Sequence, residues 1–177
     1  MSAIYLLSSL PTLELGAEAP FSVEELRKRC EGIEGVDLND FDAVAAGIPG
    51  SHQFTIDYAN VLIEIKNATA AFRASKWENG DIRVAERSHA GCHVSLRQKL
   101  SDAMNIQNPF ERELALEQAR WQMADELAGI DYFSEAKIYA YIVKLQINSR
   151  FACLNNEAGK LAVEDFIKAN DREVKEG

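Results

Sequence analysis

The run from Asn108 to Asn155, NPFERELALEQARWQMADELAGIDYFSEAKIYAYIVKLQINSRFACLN, constrains this chain most, because it holds two long helical patterns with explicit start and stop signals. Asn108 is placed to cap a helix, Pro109 fits the first helical position, and Glu111 completes an Asn-x-x-Glu capping box. Gly129 ends that helix. At 100° per residue, Phe110, Leu114, Trp121 and Ala128 fall on one side, and Leu116, Met123 and Leu127 fall almost opposite. A helix with two apolar sides is expected to be sandwiched. A second helix is expected from Ser134 to about Leu154, roughly 30 Å long, with Phe133 and Ile138 placed as a hydrophobic staple. Its first half, Ile138 to Val143, is apolar all round, as a buried helix should be. The two together read as a helical hairpin.

The rest of the chain adds helices of the same kind. The segment Ile4 to Leu15, broken by Pro11, is too short for periodicity to separate helix from buried strand, and a short helix is expected. Ser22-x-x-Glu25 is a capping box, with Phe21 and Leu26 as its staple and Gly32 as its stop. A short helix is expected around Asp40 to Ala46, closed by Gly47 and Pro49. From Ser51 to about Ser75, the residues Phe54, Tyr58, Val61, Ile65, Ala68 and Phe72 recur at i, i+4, i+7 steps, and Asp57, Asn60, Glu64 and Asn67 lie outside the stripe. Asn79-Gly80-Asp81 signals a turn, so residues 77–91 are expected to form an exposed tip. A helix beginning near Cys92 aligns Leu96, Leu100, Ala103 and Met104. A last short helix is expected at Lys160 to Lys168, with Leu161, Phe166 and Ile167, and residues 171–177 are expected to fray. The fold class that follows is all-α: a compact bundle of antiparallel long and short helices, in one domain spanning residues 1–177. A length of 177 residues suits a single core.

Charge and cysteine usage narrow the function classes. A formal net charge of -9 without a dense Lys/Arg run argues against nucleic acid or anionic lipid, and points to protein partners. Cys30, Cys92 and Cys153 are widely spaced and odd in number, which suits reduced thiols in a cytoplasm. The apolar stretch Ala3 to Leu7 is too short for a signal peptide, and no window reaches the ~18 apolar residues of a membrane span. The Asn67-Ala68-Thr69 sequon then carries no meaning.

Chemistry has few places to reside. His89, Cys92 and His93, at i, i+3, i+4 of a helix, would share one side and are the only ligand-like cluster. A closed zinc site would need a fourth ligand, from Cys30 or Cys153, and the ordinary reading is that the three are packed or surface residues. Ala158-Gly159-Lys160-Leu161 lacks the first glycine and the hydroxyl of a phosphate-binding loop, and there is no Gly-x-Ser-x-Gly elbow or Gly-rich dinucleotide turn. His52 is the one histidine base candidate left. Neither a catalytic residue nor a cofactor is expected. Arg150 follows Gln146 by one turn in a largely apolar helix. If buried it needs an acidic or carbonyl partner, and otherwise it lies at the helix's wet edge. Trp121, if fully buried, should cost about 3 to 5 kcal/mol on truncation to alanine.

The stretches DELAGIDYFS, which contains Tyr132, and AYIVKLQINSRFACLNNEAGK, which contains Arg150, resemble the C-terminal half of an uncharacterised family encoded in bacterial V-type ATPase operons. The start, with Tyr5, Leu6, Ser9, Leu10 and Pro11, resembles that family's opening. The resemblance runs from Tyr5 to about Ile167 and is densest from Trp121 to Gly159. The family is distantly similar to the C-type component, also called d-type, of V-type and archaeal ATP synthases. What the resemblance implies is an all-helical, non-catalytic coupling component between the central stalk and the membrane rotor ring, peripherally attached and without its own membrane insertion. This chain is roughly half the length expected of the C-type component, so it departs from a complete three-lobed funnel. Trp121, Tyr132 and Arg150 are the structural or interaction residues in this reading. The alternatives are a helical adaptor of another complex and a small metal- or thiol-dependent enzyme built on the His89 cluster.

Overall fold

Four helices of the computed structural model begin where a side chain accepts from their free backbone amides. The structure describes residues 3–76, 87–90 and 93–154. Among them are seven helices and no strand: α1 (Ala3–Ser9), α2 (Val23–Cys30), α3 (Leu38–Ala46), α4 (Gln53–Ser75), α5 (Val94–Met104), α6 (Pro109–Ala128) and α7 (Glu135–Leu154). The expected all-α class holds.

The caps follow the sequence closely. Asn108 Oδ1 accepts from the amides of Phe110 at 2.9 Å and Glu111 at 3.5 Å, with Pro109 in the first turn. Ser22 Oγ accepts from Glu25 N at 3.1 Å. The reciprocal half of that box is redirected, because the Glu25 carboxylate accepts from Arg29 one turn on, at 2.5 Å. α3 starts two residues before its expected position, since Asp37 caps it by accepting from Asn39 N at 2.8 Å. α4 is capped by an imidazole: His52 Nδ1 accepts from Phe54 N at 3.0 Å. Gly47 closes α3 at φ 66°, a left-handed conformation that suits glycine.

The α3–α4 turn is built on a buried carboxylate. Asp40 is 4% exposed and its Oδ1 accepts from Ser51 N at 2.6 Å and His52 N at 3.1 Å, while Gly50 N donates to Thr55 Oγ1 at 2.8 Å. A Cβ on Gly50 would collide with Asp40 Oδ1, so this position needs glycine for space.

α7 is the central element. Ile138, Tyr139, Ile142, Val143, Leu145 and Ile147 are all at 0% exposure, and residues of α1, α2, α3, the start of α4 and the end of α6 pack around them. This agrees with the apolar-all-round pattern. The polar residues of α7 fasten neighbours to it: Asn148 Nδ2 donates to the Glu14 carbonyl at 2.9 Å, and its Oδ1 accepts from Gly16 N at 3.0 Å. Gln146 Nε2 donates to the Ala45 carbonyl at 2.8 Å, and Tyr141 Oη to that of Pro11 at 2.9 Å.

A second apolar cluster joins Val61 of α4, Leu96, Leu100 and Ala103 of α5, and Leu116, Ala119 and Met123 of α6. α6 thus lies between two cores. The expected sandwich is real in its C-terminal half, where Ala124 and Ala128 face the main core. It fails at the N-terminal end, where Phe110 is 53% and Leu114 38% exposed. Trp121 is also corrected, being half-buried with Lys144 Nζ 4.8 Å from its ring centroid. Its large truncation cost therefore does not apply. The staple at α7 is a correction too, since Phe133 is 53% exposed while Ile138 is fully buried.

The helix at 160–168, the frayed tail and most of the 77–91 tip lie outside the described residues. The end of that tip is docked on α4. Asn67 Oδ1 accepts from Arg87 N at 3.0 Å, its Nδ2 donates to Arg87 O at 2.9 Å, and Asn60 Oδ1 accepts from Ala90 N at 3.2 Å.

Candidate functional site

The turn between α6 and α7 concentrates exposed apolar surface on a fixed backbone. Gly129 ends α6 at φ 67°, with its amide donating to Glu126 O at 3.2 Å. Lys137 Nζ returns from α7 to donate to Gly129 O at 2.6 Å. Asp131 Oδ1 accepts from Phe133 N at 3.0 Å, and Ser134 Oγ donates to Asp131 O at 3.0 Å. This is an Asx-type turn that leads into the helix. On it stand Ile130 at 94%, Tyr132 at 77% and Phe133 at 53% exposure. The Lys137 ammonium lies 5.6 Å from the Tyr132 ring centroid, so the ring is held from one side and open on the other. Single exposed apolar residues are ordinary, whereas three within four positions on a hydrogen-bonded turn form a preorganised contact surface.

Arg150 is used inside the bundle. Its side chain is 51% exposed, yet Nη1 donates to Glu117 Oε1 at 2.6 Å, and Nη2 donates to Glu113 Oε1. The Glu117 side chain is 3% exposed and also accepts from Arg120 Nη1, at 3.1 and 2.9 Å to its two oxygens. Arg120 Nη2 in turn donates to Tyr58 Oη at 2.6 Å. Burial pushes the Tyr58 phenol above its ordinary value, which keeps it neutral as the end of this chain. The network ties α4, α6 and α7 together. Nothing in the sequence patterns singled out Glu117, whose neighbours read as a solvated face.

The His89 cluster takes a different form from the expected one. α5 starts at Val94, so His89 and His93 precede the helix and the i, i+3, i+4 spacing does not place them on one side. His93 is the N-cap residue, without a side-chain capping bond. Cys92 lies outside the described residues, and among those described no three metal-ligating side chains converge. His89 instead faces Glu64 of α4, Nδ1 to Oε1 3.9 Å, with Arg97 Nε of α5 4.0 Å from the same oxygen. Glu64, expected outside the apolar stripe, is 6% exposed. The segment carrying His89, pinned by Asn60 and Asn67, covers it. These residues line a cleft of about 460 Å³ whose remaining wall is formed by Asn67, Ala68, Ala71, Leu100, Ser101 and Met104.

No protein-family model, curated protein or solved structure matches this chain. No helix among the described residues is long and apolar enough to cross a membrane.

Proposed function

We infer that this chain is a non-catalytic coupling component of a bacterial V-type ATPase, similar to the C-type component, which docks on the central stalk or rotor ring. The observation that carries the reading is the turn at Ile130, Tyr132 and Phe133. It is exposed, held by Asp131 and Lys137, and lies in the DELAGIDYFS stretch on which the resemblance rests. Tyrosine and phenylalanine are enriched at protein interfaces, tyrosine also among the residues that carry most of the binding energy, and a preordered backbone lowers the entropic cost of docking. The acidic net charge favours encounter with basic partner surfaces. The bundle behind the turn supports it: α6 and α7 are tied by the Arg150–Glu117 and Lys144–Asp125 pairs, and helices so joined transmit force as one body.

The test is capture from gently solubilised membranes of the source cell with the tagged full chain. Proteins of the stalk or rotor ring are expected in the eluate, and deletion of the gene is expected to lower ATP-driven ion pumping more than ATP hydrolysis. A protein that stays alone at low salt, with pumping unchanged in the deletion strain, would replace this reading with a helical adaptor of another complex.

A further inference from the structure

The segment 87–90 is fastened to α4 by two kinds of contact that differ in their response to pH. One is a set of asparagine hydrogen bonds: Asn67 Oδ1 accepts from Arg87 N at 3.0 Å, its Nδ2 donates to Arg87 O at 2.9 Å, and Asn60 Oδ1 accepts from Ala90 N at 3.2 Å. These bonds are exposed, so water competes for the groups in them, and asparagine does not titrate. The other is the meeting of His89 with Glu64, whose side chains are 16% and 5% exposed.

His89 Nδ1 and Glu64 Oε1 lie 3.9 Å apart, too far for a hydrogen bond. Both atoms are closed to water, and neither has another hydrogen-bond partner among the described residues. Charge is the interaction left to them. With a neutral imidazole, closing the segment takes the Glu64 carboxylate out of water and returns no hydrogen bond; with an imidazolium, it sets an opposite charge beside the carboxylate where water screens little. Among the described residues that line this cleft, the other charged one is Arg97 of α5, whose Nε lies 4.0 Å from the same oxygen. Arg87, on the segment itself, is exposed. Arg97 attracts Glu64 and repels an imidazolium, but its side chain is 65% exposed and screened by water, whereas the His89–Glu64 pair is shielded. The pair therefore sets the sign, and closure takes up a proton.

We propose that His89 and Glu64 form a pH-sensitive latch: protonation of His89 locks the segment 87–90 over α4, and loss of the proton leaves the segment on its asparagine bonds alone, free to lift from Glu64. The latch controls the hydration of a carboxylate in the middle of α4 and one wall of the cleft of about 460 Å³ between α4 and α5. It uses no residue of the α6–α7 turn.

The experiment measures solvent exchange of the Arg87 and Ala90 amides by NMR on the full chain at about pH 6 and about pH 8, either side of the ordinary histidine range, with rates corrected for the intrinsic pH dependence of exchange. These are the amides bonded to Asn67 and Asn60, so their protection reports the closed segment. Linkage to one proton changes the ratio of open to closed by at most about tenfold per pH unit, and protection is expected to be about tenfold higher at the lower pH. His89→Gln and Glu64→Gln are each expected to abolish the difference. His89→Lys, whose ammonium keeps its charge over the whole range, is expected to hold at the higher pH the protection that the parent chain shows at the lower one; the two His89 variants serve if Glu64→Gln does not fold. Equal protection of the parent chain at the two pH values would overturn the latch and leave the asparagines as the whole fastening. A pH dependence that persists in folded His89→Gln or Glu64→Gln would overturn it by assigning the proton to another group. So would a His89→Lys chain that is no better protected at the higher pH than His89→Gln.

Discussion

Arg150 of α7 donates to Glu117 of α6, Nη1 to Oε1, at 2.6 Å, and so brings a half-exposed cation to a carboxylate that is almost wholly buried. The same carboxylate takes both of its oxygens to Arg120, whose side chain is 17% exposed. The two arginines are therefore not equivalent. Arg120 depends on Glu117 for its charge balance, whereas Arg150 can turn to water.

That asymmetry sets the first prediction. Glu117→Ala strands Arg120 in the interior and is expected to cost about 3 to 5 kcal/mol in chemical denaturation. Arg150→Ala leaves Glu117 paired to Arg120 and is expected to cost no more than about 2 kcal/mol, since its exposed half is screened. Equal losses for the two variants would show that Arg120 finds another partner when Glu117 is gone.

Gly50 and Asp40 give a prediction of coupling. Gly50→Ala places a methyl where Asp40 Oδ1 now stands, and overpacking of this kind costs about 1 to 3 kcal/mol. Asp40→Ala removes the obstructing oxygen together with its bonds to the Ser51 and His52 amides, at a cost of about 2 to 4 kcal/mol. The double variant is expected to lose less than the sum of the two, because the clash with Asp40 Oδ1 no longer exists and only the tight contacts with Thr55 Oγ1 and Ala43 Cβ remain. Strict additivity in the cycle would mean that the turn relaxes away from Asp40 in the single Gly50 variant.

Alkaline pH offers a third. Cys30 is 1% exposed in the main core, and burial pushes its thiol up from 9.0 to about 11. Because the folded value lies above the unfolded one, the folded chain holds its proton longer. The stabilisation is complete below about pH 9 and is lost as pH rises to 11, a loss of about 2 to 3 kcal/mol. Tyr141, raised by burial to about 12, adds a similar loss at higher pH. Denaturation midpoints measured from pH 8 to 11 should fall, and Cys30→Ala should flatten that part of the curve while lowering its plateau. An unchanged slope in the variant would assign the loss to other groups.

The helix ends were legible because capping is local chemistry: Asn108, Ser22 and Gly129 act within a few residues of themselves. The core of α7 was legible because an all-apolar run has one explanation in a chain that lacks a membrane-length span. Glu64 and Glu117 were not legible, since what buries each of them comes from elsewhere in the chain. The segment 87–90 closes over Glu64, and Arg120 and Arg150 close over Glu117. The same limit explains His89 and His93, whose spacing implies one helical face only if the helix has already begun. Trp121 misled in the other direction, because an aromatic ring on an apolar face can be finished by a lysine ammonium instead of a core, as Lys144 does here while pairing with Asp125 at 2.6 Å.

The α6–α7 turn separates binding from stability, which makes its prediction the most direct test of the coupling reading. Tyr132 makes no hydrogen bond within the described residues and is 77% exposed, and Ile130 is 94% exposed, so Tyr132→Asp or Ile130→Asp should shift stability by no more than about 0.5 kcal/mol. If the turn docks on the stalk or ring, either variant buries a charge against an apolar partner surface. Retention of stalk or ring proteins by the tagged chain should then fall about 30-fold or more, the size of a central contact residue. Asp131→Ala discriminates further. It leaves the exposed apolar side chains in place but releases Phe133 N from its acceptor, so it should weaken binding by an intermediate amount through loss of backbone order. Full retention by both aspartate variants, with the bundle intact by circular dichroism, would move the docking surface away from this turn.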